Sequence, residues 1–426
     1  MTESQAPRSH PPTRPPDGSH RGGLTGKRVV LGVTGSVAAY KAVLLARLLI
    51  KQGAHVRVIL TRSGAEFVGA ATFAGLTENP VESEMFSPSM VGERHVELAA
   101  EADLVVIAPA TADVLARFAR GRADDFLTAT ELCATCPVLV APAMHPAMWS
   151  HPATQRNVAV LEADGRIARV GPVHGEVASG DSGVGRMAEP EEIAAAAVLK
   201  LSPRDLSGRH LVVTAGPTVE DLDPVRFLSN RSSGKMGFAI AERAAARGAR
   251  VTLVAGPVNL PTPYGAQRVD VRSAIAMRGA VWQALGPDLS HADALIMAAA
   301  VGDYRPAETR AAKIKRTAKE AQLELVQNPD ILSEVGLARK QSARPILVGF
   351  AVETDSDAKV VEYARGKLAQ KRADVVVANH ADDSFGRDDN RITLVTKKSV
   401  EPLPRLSKIE LADRILDWVL DRFENS

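Results

Sequence analysis

The sequence predicts an α/β protein with two doubly wound, mainly parallel sheets, one in each half of the chain. Short runs rich in Val, Ile and Leu alternate with segments of helical periodicity, which is typical of parallel sheets covered by helices. The alternation restarts near residue 210, and no short internal repeat is present. A length of 426 residues is sufficient for two domains that each bury a core.

The first domain is expected over 27–201, and residues 202–208 are predicted to form a linker. A helix is expected between the first strand and Gln52. A final helix over 189–201 has Pro190 in its first turn, where proline is favoured. The strands of this domain are predicted at 28–33, 55–61, 103–109 and 138–143.

The second domain is expected over 209–426. Ser407 and Glu410 have the capping-box spacing, in which each side chain bonds a backbone N–H, so the last helix should begin there. The strands are predicted at 210–215, 250–255, 294–301, 346–350 and 374–378, followed by an antiparallel pair at 391–396 and 400–403.

Composition limits the classes of partner. Residues 1–26 are rich in Pro, Arg, His and Gly and lack the apolar run of a signal peptide, so a disordered tail is expected. No segment reaches the roughly 18 uncharged apolar residues of a membrane span. A net charge of +2 and an aromatic content of 4% argue against a membrane surface or a nucleic acid as partner. We therefore expect a cytoplasmic protein.

The two cysteines, Cys133 and Cys136, have the C-x-x-C spacing of redox motifs and of half a zinc site. No second pair of ligands follows at a suitable spacing, and an apolar, strand-like run comes directly after them. A packing role is therefore favoured over redox chemistry or metal binding.

Loops that follow strands are the expected ligand-binding positions in open α/β sheets. Three such loops in the first domain, 32–41, 61–63 and 108–113, combine glycine, hydroxyl groups and small residues. Taken alone, the first loop is as typical of a tight strand-to-helix turn as of a ligand-binding site. Together the loops suit flavin mononucleotide (FMN), with its phosphate at the first two and its ring at the third. The predicted FMN-binding residues are Gly35, Ser36, Val37, Thr61, Ser63, Pro109, Ala110, Thr111 and Ala112.

In the second domain, residues 230–237 combine an amide, two hydroxyls, a lysine and two glycines where a helix should begin. Backbone N–H groups at a helix start favour an anion, and Arg226 adds a guanidinium that can bind a carboxylate or phosphate with two hydrogen bonds. The alternative is a polar loop that caps the helix. The surrounding residues favour an anion site.

Two sets of motifs combine into a family pattern that covers almost everything after the tail. In the first domain the segments are 35–41, His95, 108–113, 142–144, 148–149 and 185–187. In the second domain they are 216–218, 223–226, 230–237, 303–305, 313–315 and 328–330. Together they resemble the bifunctional phosphopantothenoylcysteine decarboxylase/phosphopantothenate–cysteine ligases of coenzyme A synthesis. The resemblance implies a flavodoxin-like flavoprotein domain followed by a Rossmann-like ligase domain.

For the first domain, the resemblance implies FMN-dependent decarboxylation of 4'-phosphopantothenoylcysteine to 4'-phosphopantetheine. His95 would be the base, although a histidine at a helix start is also a common cap or surface residue. The implied substrate-binding residues are Met144, Met148, Trp149 and Arg186.

Two catalytic candidates of the first domain, His145 and Ser179, differ from the family pattern. His145 stands where the family has an asparagine that holds the substrate carboxylate, and imidazole can also donate a hydrogen bond. Ser179 stands where the family has a cysteine that donates a proton as electrons return to the enethiol, and a hydroxyl is far less acidic. Asp181 or water could donate this proton. Otherwise the reaction would stop at an unsaturated product.

For the second domain, the resemblance implies CTP-dependent ligation of 4'-phosphopantothenate to cysteine through an acyl-cytidylate. Asn230 and Lys313 are the implied catalytic residues, although the basic run at Lys313 is also typical of a solvated surface. Mg²⁺ or Mn²⁺ would bridge the phosphates, through ligands that the sequence does not identify. The implied substrate-binding residues are Arg226, Ser232, Ser233, Gly234, Lys235, Ala299, Ala300, Asp303, Lys313, Pro329, Asp330, Ile331, Leu332, Phe350, Lys367 and Lys371.

The resemblance also implies a homo-oligomer with trimeric contacts at the flavin sites and dimeric contacts at the ligase sites, which together can build a dodecamer. Two alternatives for the first domain stay open. One is an oxidative decarboxylase of peptide cysteines, which the fused ligase opposes. The other is a flavin-binding regulatory module without catalysis, which His95 and the complete ligase motifs oppose.

Overall fold

The structure, a computed structural model, describes residues 23–85, 92–313, 322–340, 342–353, 357–380 and 388–424. Within these ranges the chain forms two α/β units, each built around one main sheet. The predicted tail lies outside the described residues up to residue 22. Residues 314 and 315 of the predicted lysine motif also lie outside them.

The first unit is built on a five-stranded parallel sheet. Buried aliphatic residues dominate its central strands, as expected for a sheet covered on both faces. Its strands are β1 (Arg28–Val33), β2 (His55–Leu60), β3 (Leu104–Ala110), β4 (Val138–Pro142) and β5 (Ile167–Arg169). The spatial order β2-β1-β3-β4-β5 is that of flavodoxin-like sheets, which confirms the fold expected for this half.

Helices cover both faces of this sheet, and an antiparallel hairpin, β6 (Val173–Glu176) with β7 (Ser182–Arg186), follows it. The helices are α1 (Ala39–Lys51), α2 (Arg62–Ala65), α3 (Ala70–Thr77), α4 (Arg94–Glu101), α5 (Ala112–Phe118), α6 (Phe126–Cys133), α7 (Pro146–Ser150), α8 (Pro152–Ala163) and α9 (Pro190–Leu201). One hydrophobic cluster joins α1, α3 and α9 to the sheet, and another joins α4, α5, α6 and α8 to its opposite face.

The second unit contains an eight-stranded sheet and three small two-stranded pairings. Its strands are β8 (His210–Ala215), β9 (Val219–Asp221), β10 (Phe227–Ser229), β11 (Arg250–Ala255), β12 (Ala266–Asp270), β13 (Ala294–Met297), β14 (Tyr304–Pro306), β15 (Leu325–Gln327), β16 (Ile346–Glu353), β17 (Val375–His380), β18 (Asp389–Asn390), β19 (Ile392–Thr396), β20 (Val400–Pro402) and β21 (Leu406–Ser407). The main sheet runs β12-β11-β8-β13-β16-β17-β19-β20, with the last two strands antiparallel. Its six parallel strands have the Rossmann order, which confirms the second fold prediction.

Helices also flank the second sheet. They are α10 (Lys235–Ala246), α11 (Ala274–Leu285), α12 (Ile331–Ala338), α13 (Asp357–Gln370) and α14 (Lys408–Glu424). One core cluster contains α10 and α14, whereas the other contains α11, α12 and α13. The predicted capping box opens α14: the Glu410 N–H donates to Ser407 Oγ at 3.2 Å, and the Ser407 N–H donates to Glu410 Oε2 at 3.0 Å.

The predicted strand at 294–301 is too long, because β13 ends at Met297. The next residues bond the loop after β8 instead of continuing the sheet. The Ala300 N–H donates to the Gly216 carbonyl at 2.9 Å, and the Thr218 N–H donates to the Ala300 carbonyl at 3.2 Å. The apolar run therefore continues past the strand and forms a wall at the carboxyl edge of the sheet.

One predicted boundary also needs correction. Leu24 was assigned to the tail, but it is fully buried in the first core, and its N–H donates to the Gln52 carbonyl at 3.0 Å. Within the predicted linker, Leu206 is fully buried and Asp205 forms an ion pair with Arg247 at 2.8 Å. Across the described ranges, no helix combines the length and apolar character needed to cross a bilayer.

Candidate active sites

A cavity of about 750 Å³ opens in the first unit between the loop after β1, the loop after β4 and the β6–β7 hairpin. The carboxyl ends of parallel strands are where ligands bind in such sheets, and here the hairpin covers that edge. Predicted residues from all three segments line it: Ser36, Val37, Met144, His145, Ser179 and Arg186.

The first two predicted FMN loops are in contact. Gly35 approaches Ser63 so closely that a Cβ on Gly35 would lie 2.4 Å from the Ser63 Cβ, so only glycine fits there. Thr61 Oγ1 accepts a hydrogen bond from the Gly64 N–H at 3.1 Å and thereby caps α2. The two loops therefore pack against each other, and Ser36, next to Gly35, lines the cavity.

The third predicted FMN loop is tied to the first through Thr34. Thr34 Oγ1 donates to the Pro109 carbonyl at 2.6 Å and accepts from the Thr111 N–H at 3.3 Å. Thr111 Oγ1 in turn caps α5, whereas Ala110 is fully buried. Ser36 and Val37 line the cavity, but the other predicted FMN residues are absent from its described lining. Their roles stay predictions.

His145 connects the loop after β4 to the β6–β7 hairpin. Its Nδ1 accepts from the Ala147 N–H at 3.1 Å, and its Nε2 lies 2.9 Å from Asp181 Oδ2. With Nδ1 as an acceptor, the neutral ring carries its hydrogen on Nε2 and donates it to Asp181. Ser179 Oγ donates to the same carboxylate oxygen at 2.8 Å. The hydrogen bonds from His145 and Ser179 hold the pKa of Asp181 below its usual range, so Asp181 is poorly suited to donate a proton.

A charge cluster that sequence reasoning missed lies at the other side of this cavity. Lys41 Nζ donates to both carboxylate oxygens of Glu189, at 3.0 and 2.9 Å, and Arg186 pairs with the same carboxylate. The hydrogen bond from Lys41 is the main cause that lowers the pKa of Glu189. Lys41 closes the first glycine-containing motif, so its position was visible in the sequence, whereas Glu189 was read only as a helix start.

Beyond the FMN loops, three further predicted residues of the first unit are absent from the described lining of the cavity. His95 lies on α4, half-buried, with its ring edge-on to Phe126 at a centroid distance of 6.3 Å. Met148 and Trp149 lie on α7, and the Trp149 ring packs against the Arg169 guanidinium at 5.4 Å. Their predicted roles therefore remain to be tested.

A second cavity of about 580 Å³ lies at the carboxyl edge of the second sheet. It is lined by the loops after β10 and β13, by the segment that opens α12, and by side chains from β16, β17 and α13. Most of the predicted ligase residues line it: Asn230, Ser232, Ser233, Gly234, Lys235, Ala299, Ala300, Asp303, Pro329, Asp330, Ile331, Leu332, Phe350, Lys367 and Lys371.

The predicted anion loop leads directly into α10. Gly234 has φ 74°, a left-handed conformation that favours glycine, and α10 begins at the next residue. Gly237 lies so close to β8 that a Cβ there would be 2.6 Å from the Ala215 Cβ. Asn230 Nδ2 donates to the Val301 carbonyl at 3.1 Å, which ties this loop to the loop after β13. The loop therefore acts as one wall of the cavity.

Asn328 joins two other ligase motifs. Its Nδ2 donates to the Gly302 carbonyl at 2.8 Å, and its N–H donates to the Asp303 carbonyl at 2.8 Å. Arg305 Nη1 adds a hydrogen bond to the Gln327 carbonyl at 2.7 Å. The motifs at 303–305 and 328–330, which are separated in sequence, therefore form a continuous wall.

Charged and amide side chains complete the second cavity. Lys371 Nζ lies 3.5 Å from Asp330 Oδ2. Sequence reasoning missed three buried polar residues of the lining, Asn379, Asn390 and Lys408. The sequence signal near Lys408 was the capping box, which predicted a helix start but gave no indication that this lysine borders a cavity.

Two predicted ligase residues are absent from the described lining of this cavity, Arg226 and Lys313. Arg226 lies at the turn between β9 and β10, where its N–H donates to Asp223 Oδ1 at 2.9 Å. Lys313 is exposed and is the last residue described before the gap at 314–321. Both roles stay predictions.

The described residues contain no group of three or more His, Cys, Asp and Glu side chains placed to hold a metal ion. The two cysteines form no disulfide: Cys133 is exposed, and Cys136 is half-buried against a core cluster. Burial raises the pKa of the Cys136 thiol. The predicted packing role is therefore confirmed for Cys136 and is wrong for Cys133, because α6 turns that side chain toward solvent.

Similarity to known proteins extends over both units. Residues 17–202 match the Flavoprotein family, and residues 206–423 match the family described as DNA/pantothenate metabolism flavoprotein C-terminal domain. The coenzyme A biosynthesis bifunctional protein CoaBC of Mycolicibacterium smegmatis is 47% identical over 407 residues, covering 92% of this chain and 97% of that protein. The protein of the same name from Haemophilus influenzae is 43% identical over 407 residues, covering 95% and 99%.

Among solved structures, a C-terminal domain of a coenzyme A biosynthesis bifunctional protein CoaBC is 38% identical, covers 52% of this chain and 100% of its own, and has a TM-score of 0.44. The full-length relatives match both halves in one chain. This similarity confirms the resemblance drawn from the motifs and the two predicted activities. The chain belongs to the family of bifunctional coenzyme A biosynthesis proteins, which join a flavoprotein decarboxylase domain to a ligase domain.

Proposed function

We propose that the second cavity catalyses CTP-dependent ligation of 4'-phosphopantothenate to cysteine. The observation that carries this proposal is the convergence of the 230–235 loop, the Asp303 loop, Lys367 and Lys371 around one cavity of about 580 Å³. Lysines and a loop at a helix start suit phosphate groups. The amide side chains of the lining, among them Asn230, Asn328 and Asn379, suit the rest of a nucleotide. Such a site can hold two polyanionic substrates together.

The ligation would proceed in two steps. The carboxylate of 4'-phosphopantothenate attacks the α-phosphorus of CTP, and the bond to pyrophosphate breaks. The cysteine amine then attacks the acyl carbon, loses a proton and releases CMP. In this scheme Asn230 orients the acyl-cytidylate, Asp303 contacts the nucleotide, and Lys367 and Lys371 offset the triphosphate charge, a role that Lys313 would share.

We further propose that Mg²⁺ or Mn²⁺ enters this site with the nucleotide. Asp303 and Asp330 are the carboxylates among the described lining residues. Mg²⁺ is commonly held by substrate phosphates with one or two carboxylates, so this donor set fits a nucleotide-borne ion rather than an all-protein site. The ion would neutralise phosphate charge and favour departure of pyrophosphate.

For the first cavity, we propose FMN-dependent decarboxylation of 4'-phosphopantothenoylcysteine. The contacting loops at Gly35 and Ser63 carry glycine and hydroxyl groups that suit a phosphate group. The half-buried residues Thr111 and Ala112, tied to the first loop through Thr34, suit the edge of a flat ring. FMN, when bound, supplies the oxidation of the thiol-bearing carbon that allows carbon dioxide to leave. His145 would exchange its hydrogen bond to Asp181 for one from Nε2–H to the substrate carboxylate, and Arg186, which pairs with Glu189, would add positive charge.

The position of His95 supports a site shared between copies of the chain. His95 is absent from the described lining of the cavity in its own chain, whereas large apolar side chains beside that cavity, Val37, Tyr40 and Leu44, are 51% to 58% exposed. We propose trimeric contacts here and dimeric contacts at the ligase sites, which can combine into a dodecamer. Light scattering of the purified chain would test this assembly.

The ligase proposal is tested by incubating the purified chain with 4'-phosphopantothenate, cysteine, CTP and Mg²⁺. We expect pyrophosphate release that requires CTP and 4'-phosphopantothenate. Complete turnover should also require cysteine. Replacing CTP with CMP provides the matched control, because CMP lacks the leaving group. Pyrophosphate formation that is independent of 4'-phosphopantothenate would contradict the proposal.

The decarboxylase proposal is tested on the same purified chain. We expect a yellow protein that releases FMN on denaturation and produces carbon dioxide from 4'-phosphopantothenoylcysteine. Mass spectrometry separates 4'-phosphopantetheine from the unsaturated product, which is 2 Da lighter by the loss of two hydrogens, and so determines whether the site with Ser179 completes the reduction. Turnover of a peptide with a C-terminal cysteine, but not of 4'-phosphopantothenoylcysteine, would instead favour the peptide decarboxylase.

A further inference from the structure

Lys408 is a buried cation in the wall of the second cavity, at a position that the family motifs do not include. Its exposed fraction is 6%, and it lines the cavity together with Lys235 and the residues of the anion loop. Lysine is rarely buried to this extent without a charged or polar neighbour. Its burial therefore places a positive charge among polar groups at the wall of a proposed polyanion site.

The backbone fixes Lys408 firmly. It is the first residue of α14 and lies inside the capping box, directly after Ser407 and two residues before Glu410. Its N–H donates to the Asp388 carbonyl at 3.0 Å, and β18 pairs with β21 immediately before it. Because three local contacts hold this backbone, the start of the side chain has a defined position at the cavity wall.

Charges of both signs act on Lys408. Lys235, at the start of α10, acts on it as a like charge, and Asp388 and Asp389 act as opposite charges. Lys235 Nζ itself lies 2.6 Å from Asp388 Oδ1, and that carboxylate is 86% exposed. Burial lowers the pKa of Lys408, with a further contribution from Lys235. A second anion near the two lysines would relieve their mutual repulsion.

The neighbouring wall of the cavity offers amides rather than carboxylates. Asn379 and Asn390 are 6% and 2% exposed and line the cavity with Lys408. The carboxylates in the described lining, Asp303 and Asp330, belong to the loop after β13 and the start of α12. The cavity therefore has one wall that combines ammonium and amide groups, which is the donor chemistry that binds phosphate oxygens.

Resting on the proposed ligase function, we propose that Lys408 is a phosphate-binding residue of this site and acts with Lys235 on one phosphate group of the substrates. The phosphate oxygens displace Asp388 from Lys235 and place an anion beside both ammonium groups. Two sources share this chemistry, the β- and γ-phosphates of CTP and the phosphate of 4'-phosphopantothenate. Cysteine carries no phosphate, so its binding is independent of Lys408.

The test compares the full chain with Lys408→Met, which keeps the length of the side chain but removes its charge. Lys398→Met, at an exposed position in the turn between β19 and β20, is the matched control. Steady-state ligation gives KM values for CTP, 4'-phosphopantothenate and cysteine, and calorimetry with Mg²⁺–pyrophosphate measures binding without turnover. A charge-assisted hydrogen bond contributes about 1.5–3 kcal/mol, so we expect a loss of affinity of roughly 10- to 150-fold.

A rise of KM for CTP together with weaker pyrophosphate binding would assign Lys408 to the CTP phosphates. A rise confined to 4'-phosphopantothenate would assign it to that substrate. In either case KM for cysteine should stay constant, and the affected affinity should depend less on KCl than in the unchanged chain. Unchanged affinity for all phosphate ligands would overturn the proposal, as would an equal rise for cysteine, which indicates a structural role.

The folding of the variant has its own readout. Thermal unfolding and decarboxylase activity should match those of Lys398→Met, and Lys408→Gln provides a second variant that keeps a hydrogen-bond donor. The gradation Lys, Gln, Met should appear in phosphate affinity if the proposal holds. Two failures are also distinguishable: absence of CTP-dependent turnover in the unchanged chain contradicts the ligase, whereas normal turnover with pyrophosphate binding and both KM values, for CTP and for 4'-phosphopantothenate, insensitive to Lys408 contradicts this inference alone.

Discussion

Ionisable side chains between α10 and α14 have pKa values that differ from their usual ranges. Glu242 on α10 and Asp413 on α14 are the two carboxyls concerned, and burial raises the pKa of each. Arg243 partly offsets the rise in the pKa of Asp413, because its Nε donates to both Asp413 oxygens at 3.0 Å. The charged form of Glu242 is therefore disfavoured in the folded chain.

Glu242→Gln should stabilise the second unit at alkaline pH. A raised pKa in the folded state contributes stability below the ordinary glutamate pKa, and that contribution is lost as the pH rises through the folded value. Glutamine imitates the protonated form at every pH. We expect the variant to melt at a higher temperature than the unchanged chain at pH 8 and to match it near pH 4. Calorimetry across this range checks it, and a constant difference would contradict the assignment.

Loss of Arg247 should lower the stability of the second unit. Its side chain is 4% exposed and pairs with Asp205 at 2.8 Å and with Asp417 at 2.7 Å. Arg247→Ala leaves both carboxylates without this partner. Because these two carboxylates are partly exposed, we expect the free energy of unfolding to fall by about 2 kcal/mol. This is below the 3–5 kcal/mol typical of breaking a fully buried pair.

Urea unfolding of Arg247→Ala measures this loss. Arg272→Ala is the matched control, since Arg272 pairs with Asp221 at 2.6 Å while its side chain is 56% exposed. A surface pair of this kind contributes about 0–1 kcal/mol. Equal losses in the two variants would show that burial does not strengthen the Arg247 cluster.

At the scale of elements, the β6–β7 hairpin depends on close contact with the loop after β4. The Met144 N–H donates to the Gly185 carbonyl at 2.9 Å. A Cβ on Gly185 would lie 2.3 Å from the Met144 carbonyl oxygen, a distance at which backbone must move. This contact positions His145 against Asp181, so it couples the hairpin to the candidate decarboxylase site.

Gly185→Ala should therefore displace the hairpin from His145. We expect decarboxylation to fall at least tenfold, about 1.4 kcal/mol in transition-state stabilisation, while ligation is retained. Gly75→Ala is the control, because a Cβ at that position in α3 meets no atom within 4 Å. Carbon dioxide and pyrophosphate release from one preparation measure both activities, and unchanged decarboxylation would show that the hairpin does not position His145.

The predicted bounds were most accurate for strands with a clear apolar run and for the helix that has a capping box. β1, β8 and β11 have the predicted bounds, and α14 follows its capping box. The prediction was less accurate at β13, because residues that continue the apolar pattern bond a neighbouring loop. The β6–β7 hairpin was not predicted, since its sequence is rich in glycine and polar residues and lacks an apolar alternation.

At the scale of the whole molecule, the two units are joined by packed contacts. Arg243 Nη1 donates to Ser202 Oγ at 3.4 Å, and Ala246 of α10 belongs to the hydrophobic core of the first unit. Ser202, the residue that follows α9, is therefore held against α10. The anion loop directly precedes this helix. The candidate cavities nevertheless have separate linings, which predicts separable chemistry.

His95→Asn should separate the two activities. Asparagine removes the titratable imidazole, so we expect decarboxylation to fall at least 100-fold, the lower range for loss of general acid–base catalysis. Ligation should stay within a factor of two, because His95 lies in the other unit. Product analysis should show accumulated 4'-phosphopantothenoylcysteine. A parallel loss of both activities would contradict the separation.

The sequence by itself determined the two-unit α/β class, the order of the main elements and most residues of the ligase cavity. The class and the element order followed because strand and helix periodicities are local, whereas most of the cavity residues followed from the resemblance of the motifs to a known family. Tertiary structure decided which walls those loops form. The contacts of Asn328 with 302–303, of His145 with Asp181, and of Lys408 with the cavity join residues distant in sequence, and such proximity has no local signal.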